Sequence, residues 1–97
     1  MDSLTFEAPD YDRFPCLSLA FEAAKAGGTM PAVFNAANEV AVHAFLTNDL
    51  SFDGIPRLIR HVMAQHAAIS DPVLTDILNA DRWARKEAVE TAKAKIR

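Results

Sequence analysis

Three polar side chains, Asn35, Asn38 and Glu39, stand within five residues of one another in an otherwise apolar run from Met30 to Thr47. Two amides and a carboxylate are costly to bury unless each finds a partner. On a helix, Asn35 and Asn38 are i, i+3 neighbours and Asn35 and Glu39 are i, i+4 neighbours, so the three share a flank. In a functional role they could bind a polar ligand or help to position a metal. In a structural role they could hydrogen-bond loop backbone and helix ends, fixing a buried helix in one register. They include no nucleophile and no general base with an obvious partner. The structural reading is therefore the stronger, and no catalytic, cofactor-binding or metal-binding residue is assigned.

Other candidates are weaker. Asp49-x-Ser51-x-Asp53-Gly54 opens like an EF-hand loop, but its twelfth position is Arg60 where a bidentate Glu belongs, and Pro56 interrupts it. His61 and His66 lie about 140° apart around a helix and diverge. His43 belongs to another helix, and no zinc-protease spacing is present. His66 continues an apolar stripe and reads as a packed, hydrogen-bonded residue at the core edge, whereas His43 and His61 read as solvated. Cys16 sits in an apolar first turn with only Arg13 nearby, as an inert buried thiol does. Gly27-Gly28-Thr29 lacks the preceding strand and third glycine of a dinucleotide fingerprint and the lysine of a P-loop, so helix punctuation explains it.

Composition bounds the rest. The chain has 97 residues, 51% of them hydrophobic and 24% charged, which is ordinary usage for one globular domain. One cysteine excludes an internal disulfide and fits a reducing compartment. No signal peptide or run of roughly 20 apolar residues is visible, so a soluble, cytoplasmic protein with no membrane partner is expected. Net charge is −3, yet residues 82–97 hold 6 basic and 2 acidic side chains. Cations in the last turns of a helix complement its dipole, which is the plainer reading of Lys93, Lys95 and Arg97. A helix-turn-helix reader of DNA needs basic side chains on its second helix; Met30–Thr47 has no Arg or Lys, so nucleic acid is excluded as a partner.

The elements that must position these residues are helical. Leu4, Phe6 and Ala8 alternate with polar residues, predicting a short extended segment over 1–11 with no partner strand, as expected of a piece cut from something larger. The first helix is predicted over Arg13–Ala26, capped by Asp12, with Phe14, Leu17, Phe21 and Ala24 as its inner stripe and Ala20 beside it. Gly27-Gly28 ends it. The second, Met30–Thr47, has Thr29 as its cap and Pro31 in its first turn. Val33, Phe34, Ala37, Val40, Ala41, Ala44 and Phe45 cover one wide side, but Val42 and Leu46 lie on the other. A helix apolar almost all round is expected at the centre, surrounded by the rest. After a turn at Asn48-Asp49, the third helix carries the stripe Ile55, Leu58, Ile59, Val62, Met63 and His66, with Asp53 as its cap and fraying near Ala67 or Ala68. Leu74, Ile77 and Leu78 suggest a short helix. Asn79 or Asp81 would then cap a long one reaching Ile96, with the thin stripe Ala84, Ala88, Val89, Ala92 and Ile96.

Several spaced blocks, in order, resemble one family. Thr5-Phe6-Glu7-Ala8-Pro9-Asp10, Arg13-Phe14-Pro15-Cys16-Leu17, Ala26-Gly27-Gly28, Asn35-Ala36-Ala37-Asn38-Glu39-Val40-Ala41-Val42 with Ala44-Phe45-Leu46, and Phe52-x-x-Ile55-Pro56 are similar to the C-terminal region of 1-deoxy-D-xylulose 5-phosphate reductoisomerases. Residues 67–97 match more loosely. The resemblance implies a larger parent with dinucleotide-binding, catalytic and helical C-terminal domains. It also implies NADPH, a divalent cation (Mg or Mn) and a homodimer for that parent. Only the last domain is represented, and none of the matching positions belongs to the family's metal and phosphosugar cluster.

The expectation is an all-α fold, a four-helix bundle or small superhelical array with a short extended N-terminal segment. Residues 1–11 would be a linker and 12–97 the helical domain. It would pack on the catalytic domain of its parent, hold no cofactor of its own and be inactive alone. The alternative is a stand-alone helical interaction module that receives a partner helix in a groove.

Overall fold

A computed structural model describes residues 14–94. They form four helices: α1 (Pro15–Ala26), α2 (Met30–Leu46), α3 (Gly54–Ala64) and α4 (Leu74–Ala94), with no strand among the described residues. The expected extended segment, the Asp12 cap and Ile96 lie outside them.

Leu58, Ile59 and Val62 of α3 and Val33, Ala36, Ala37 and Ala41 of α2 are wholly buried against one another. Each large aliphatic contributes about 1.5–3 kcal/mol by leaving water. The alanines contribute little area but let the helices approach closely. α4 follows the same rule: Ala80, Ala84, Ala88 and Ala92 are its buried apolar side chains, joined by Thr91. α2 and α3 each touch all three other helices, while α1 and α4 do not meet. The molecule's shortest extent is 18 Å, which suits two helix layers packed 8–10 Å apart.

α2 ends as its sequence demands. Asn48 takes the left-handed conformation at φ 66°. The Asn48 and Asp49 N–H groups then donate back to the Phe45 and Ala44 carbonyls at 3.1 and 2.8 Å, the two bonds of a Schellman motif. α4 opens with the Asp76 carboxylate accepting from the Val73 N–H at 3.0 Å, the return half of a capping box.

Several expectations are corrected. α1 starts at Pro15, with Phe14 rather than a polar side chain at its N-cap. Its inner face is Leu19 and Ala23, with Cys16 beside them, while Phe14, Leu17, Phe21 and Ala24 are exposed. Both sides of α1 are apolar, so its own periodicity cannot choose between them; contact with α2 and α3 selects the slimmer side. Neither Thr29 nor Asp53 caps with its side chain. Ser51 Oγ instead accepts from the Gly54 N–H at 3.1 Å, and Thr29 is used elsewhere. α3 stops at Ala64, short of Ala67. α4 is a single helix with no break at Asn79 or Asp81. Those residues bond forward to Arg82 and Arg85, so they have no need of a helix start. α2 touches every other helix but is not enclosed: Asn35, Glu39, Val42, His43 and Leu46 are exposed, and Phe45 and α4's Val89 sit at the surface.

Candidate functional site

The flank holding Asn35, Asn38 and Glu39 faces outward beside α4. Asn35 Nδ2 donates to Glu39 Oε2 at 3.4 Å, the i, i+4 contact that the spacing allows. Glu39 Oε1 pairs with Arg85 Nη1 of α4 at 2.9 Å, and Arg85 Nε reaches Asp81 Oδ2 at 3.0 Å. Glu39 thus bonds side chains of its own helix and of α4, and no loop backbone or helix end. Asn38 is half-buried and makes no side-chain hydrogen bond among the described residues. Hydrogen bonds donated to Asp81 first, and then to Glu39, hold the pKa of the Arg85 guanidinium above its already high value. The Arg85 and Glu39 side chains are 41% and 54% exposed, so water screens the pair and it is worth at most about 1 kcal/mol. Asp81 and Arg85 form an i, i+4 pair that is visible in the sequence; their link to Glu39, on another helix, is not.

The histidines separate as their positions suggest, with one difference. His66, just beyond α3, is half-buried; its Nε2 lies 2.7 Å from Thr29 Oγ1, and its ring rests on Trp83 with centroids 5.4 Å apart. Burial pulls its pKa down. His43 is exposed. His61 is partly covered and bonds Gln65 at 2.6 Å. Asp49 Oδ2 accepts from the Thr47 hydroxyl at 3.0 Å. Among the described residues, no three His, Cys, Asp or Glu side chains converge as metal ligands would.

A groove of about 430 Å³ lies between the starts of α1 and α3, lined by Phe14, Pro15, Leu17, Phe52, Ile55 and Pro56 among others. Cys16 borders it, but burial pushes its thiol pKa up, partly offset by Arg60. A thiol held in its neutral form is a poor nucleophile. The groove is an apolar surface with no acid–base pair. No helix among the described residues is long and apolar enough to cross a membrane.

Parts of known proteins are similar to this chain. The family model described as the DXP reductoisomerase C-terminal domain matches residues 1–87. The 1-deoxy-D-xylulose 5-phosphate reductoisomerase of Pelotomaculum thermopropionicum is 60% identical over 93 residues, covering 96% of this chain and 24% of that protein. The enzyme of the same name from Synechococcus is 52% identical over 93 residues, covering 96% and 24%. Among solved structures, the 1-deoxy-D-xylulose 5-phosphate reductoisomerase of Zymomonas mobilis in complex with NADPH superposes with a TM-score of 0.81 at 41% identity, covering 91% of this chain and 23% of that one. The chain thus spans about a quarter of the length of the curated relatives it matches. On the match over residues 1–87, the chain belongs to the DXP reductoisomerase C-terminal domain family.

Proposed function

We propose that this chain is the structural C-terminal domain of an NADPH-dependent reductoisomerase. That enzyme converts 1-deoxy-D-xylulose 5-phosphate to 2-C-methyl-D-erythritol 4-phosphate on the non-mevalonate route to isoprenoids, in the cytoplasm. The described residues do not fit a nicotinamide cofactor or a divalent cation. No glycine-rich turn follows a strand, and no ligand cluster converges among the described residues. NADPH and a metal ion such as Mg or Mn belong, in this reading, to the remainder of a homodimeric parent. The domain's part is to hold shape: a dry α2–α3 seam keeps the helices rigid, and the outward side of α1 meets the catalytic domain.

One observation carries the reading: Leu17 of α1 and Phe52, which line the same groove, are 39% and 71% exposed. Large apolar side chains gathered on one side mark a surface that a neighbour covers. Within the polar cluster of Asn35, Asn38 and Glu39, it is Glu39, bonded to Asn35, that acts here as a tie between α2 and α4.

The test is turnover. The purified chain, given NADPH, Mg²⁺ and 1-deoxy-D-xylulose 5-phosphate, is expected to oxidise no NADPH above the rate without protein. Substrate-dependent oxidation by this chain alone would overturn the proposal.

A further inference from the structure

The joint between α1 and α2 meets the connection between α3 and α4 at one buried hydroxyl. Thr29 is fully buried, and its Oγ1 has two partners. It accepts from the Ile69 N–H at 2.9 Å and lies 2.7 Å from His66 Nε2. An N–H can only donate, so that bond takes one lone pair of the hydroxyl oxygen. The hydroxyl has one proton to place, and the structure gives it no other partner than Nε2. No buried side-chain N or O among the described residues is left unsatisfied. A lone pair on Nε2, with the ring proton on Nδ1 in a neutral imidazole, would place that hydroxyl proton. Trp83 of α4 covers the ring at an interplanar angle of 31°. The backbones also close up here: Gly28 sits at φ +56°, and a Cβ on it would overlap the Ile69 carbonyl.

We propose that Thr29 and His66 form a proton-controlled pin, in which neutral His66 fastens the α3–α4 connection to the α1–α2 joint and protonated His66 releases it. Protonation turns Nε2 from acceptor to donor. The hydroxyl proton of the fully buried Thr29 then loses its Nε2 acceptor. Burial opposes the imidazolium as well and lowers its pKa. The charged or titratable groups on the elements that meet here include Lys25 on α1, Arg60 and His61 on α3, Asp71 in the connection, and Arg82, Lys86 and Glu87 on either side of Trp83. The first turn of α2 has none, and burial alone sets the shift. The unfolded chain binds this proton at about pH 6.5, the folded chain only at lower pH. Between those values the unfolded state holds the extra proton, so stability is full above about pH 6.5 and falls as the pH drops.

Nuclear magnetic resonance of the 97-residue chain tests the pin. Ring ¹⁵N shifts are expected to show Nε2 unprotonated at pH 7.5, with a His66 midpoint below about 6.5. Protection of the Ile69 amide from hydrogen exchange is expected to fall by up to about tenfold per pH unit below that value. His66→Gln places a non-titrating amide against Thr29, and the fall should vanish in it. A His66 midpoint at or above about 6.5, a protonated Nε2 at pH 7.5, or the same pH slope at Ile69 in His66→Gln would each overturn the proposal. Tautomer and midpoint are read on the unaltered chain, so a variant that fails to fold does not shield it.

Discussion

α2 runs for 17 residues with two unlike flanks. Along one, Val33, Ala36, Ala37 and Ala41 are wholly buried against α3 and α4. Along the other, Asn35 and Glu39 are exposed and linked to α4 through Arg85. The first flank gains from every side chain taken out of water, and its alanines set the helix spacing. The second exchanges hydrogen bonds to water for hydrogen bonds to side chains, so its net gain is small. The block with the most conspicuous chemistry in the sequence is therefore the energetically quieter one.

Substitutions on each flank measure that contrast. Leu58→Ala, in the α2–α3 seam, should lower unfolding free energy by about 2–5 kcal/mol in urea titration; a loss near that of a surface change would deny the seam its role. Gly28→Ala joins a left-handed backbone to an overlap with Ile69, and should cost more than about 1–2 kcal/mol in the same titration; an unchanged midpoint would show that the two connections are loosely held. Arg85→Leu breaks the α2–α4 tie and should cost less than about 1 kcal/mol, with the cost shrinking in added salt. Asn38→Leu removes no hydrogen bond and should move stability by about 0.5 kcal/mol or less. A multi-kilocalorie loss for either of the last two would reverse the order of the flanks.

How far the sequence is legible follows the same contrast. The stripe Ile55, Leu58, Ile59, Val62 and Met63 is buried as its spacing predicts, because α3 is apolar on one side only. The second helix begins at Met30 and ends within one residue of Thr47, since Gly27-Gly28 and Asn48 leave the chain little choice. His66 lies at the core edge, hydrogen-bonded, as expected. α1 misleads because it is apolar on both sides, and only its neighbours reveal that Leu19 and Ala23 turn inward. α4 misleads because Asn79 and Asp81 are capping residue types whose side chains are engaged by Arg82 and Arg85 instead. In the candidate site, the shared flank of Asn35 and Glu39 is legible as i, i+4 spacing. Arg85 as the partner of Glu39 is not, because the contact spans 46 residues of sequence.

In the proposed function, the outward apolar side of α1 is the face that the catalytic domain covers. Complementation tests that most directly. The reductoisomerase lacking this domain is assayed for NADPH oxidation with 1-deoxy-D-xylulose 5-phosphate, with and without the separately purified 97-residue chain. Little turnover is expected of the remainder alone, with recovery that saturates near one chain per remainder. Full turnover by the remainder alone, unchanged by adding this chain, would contradict it.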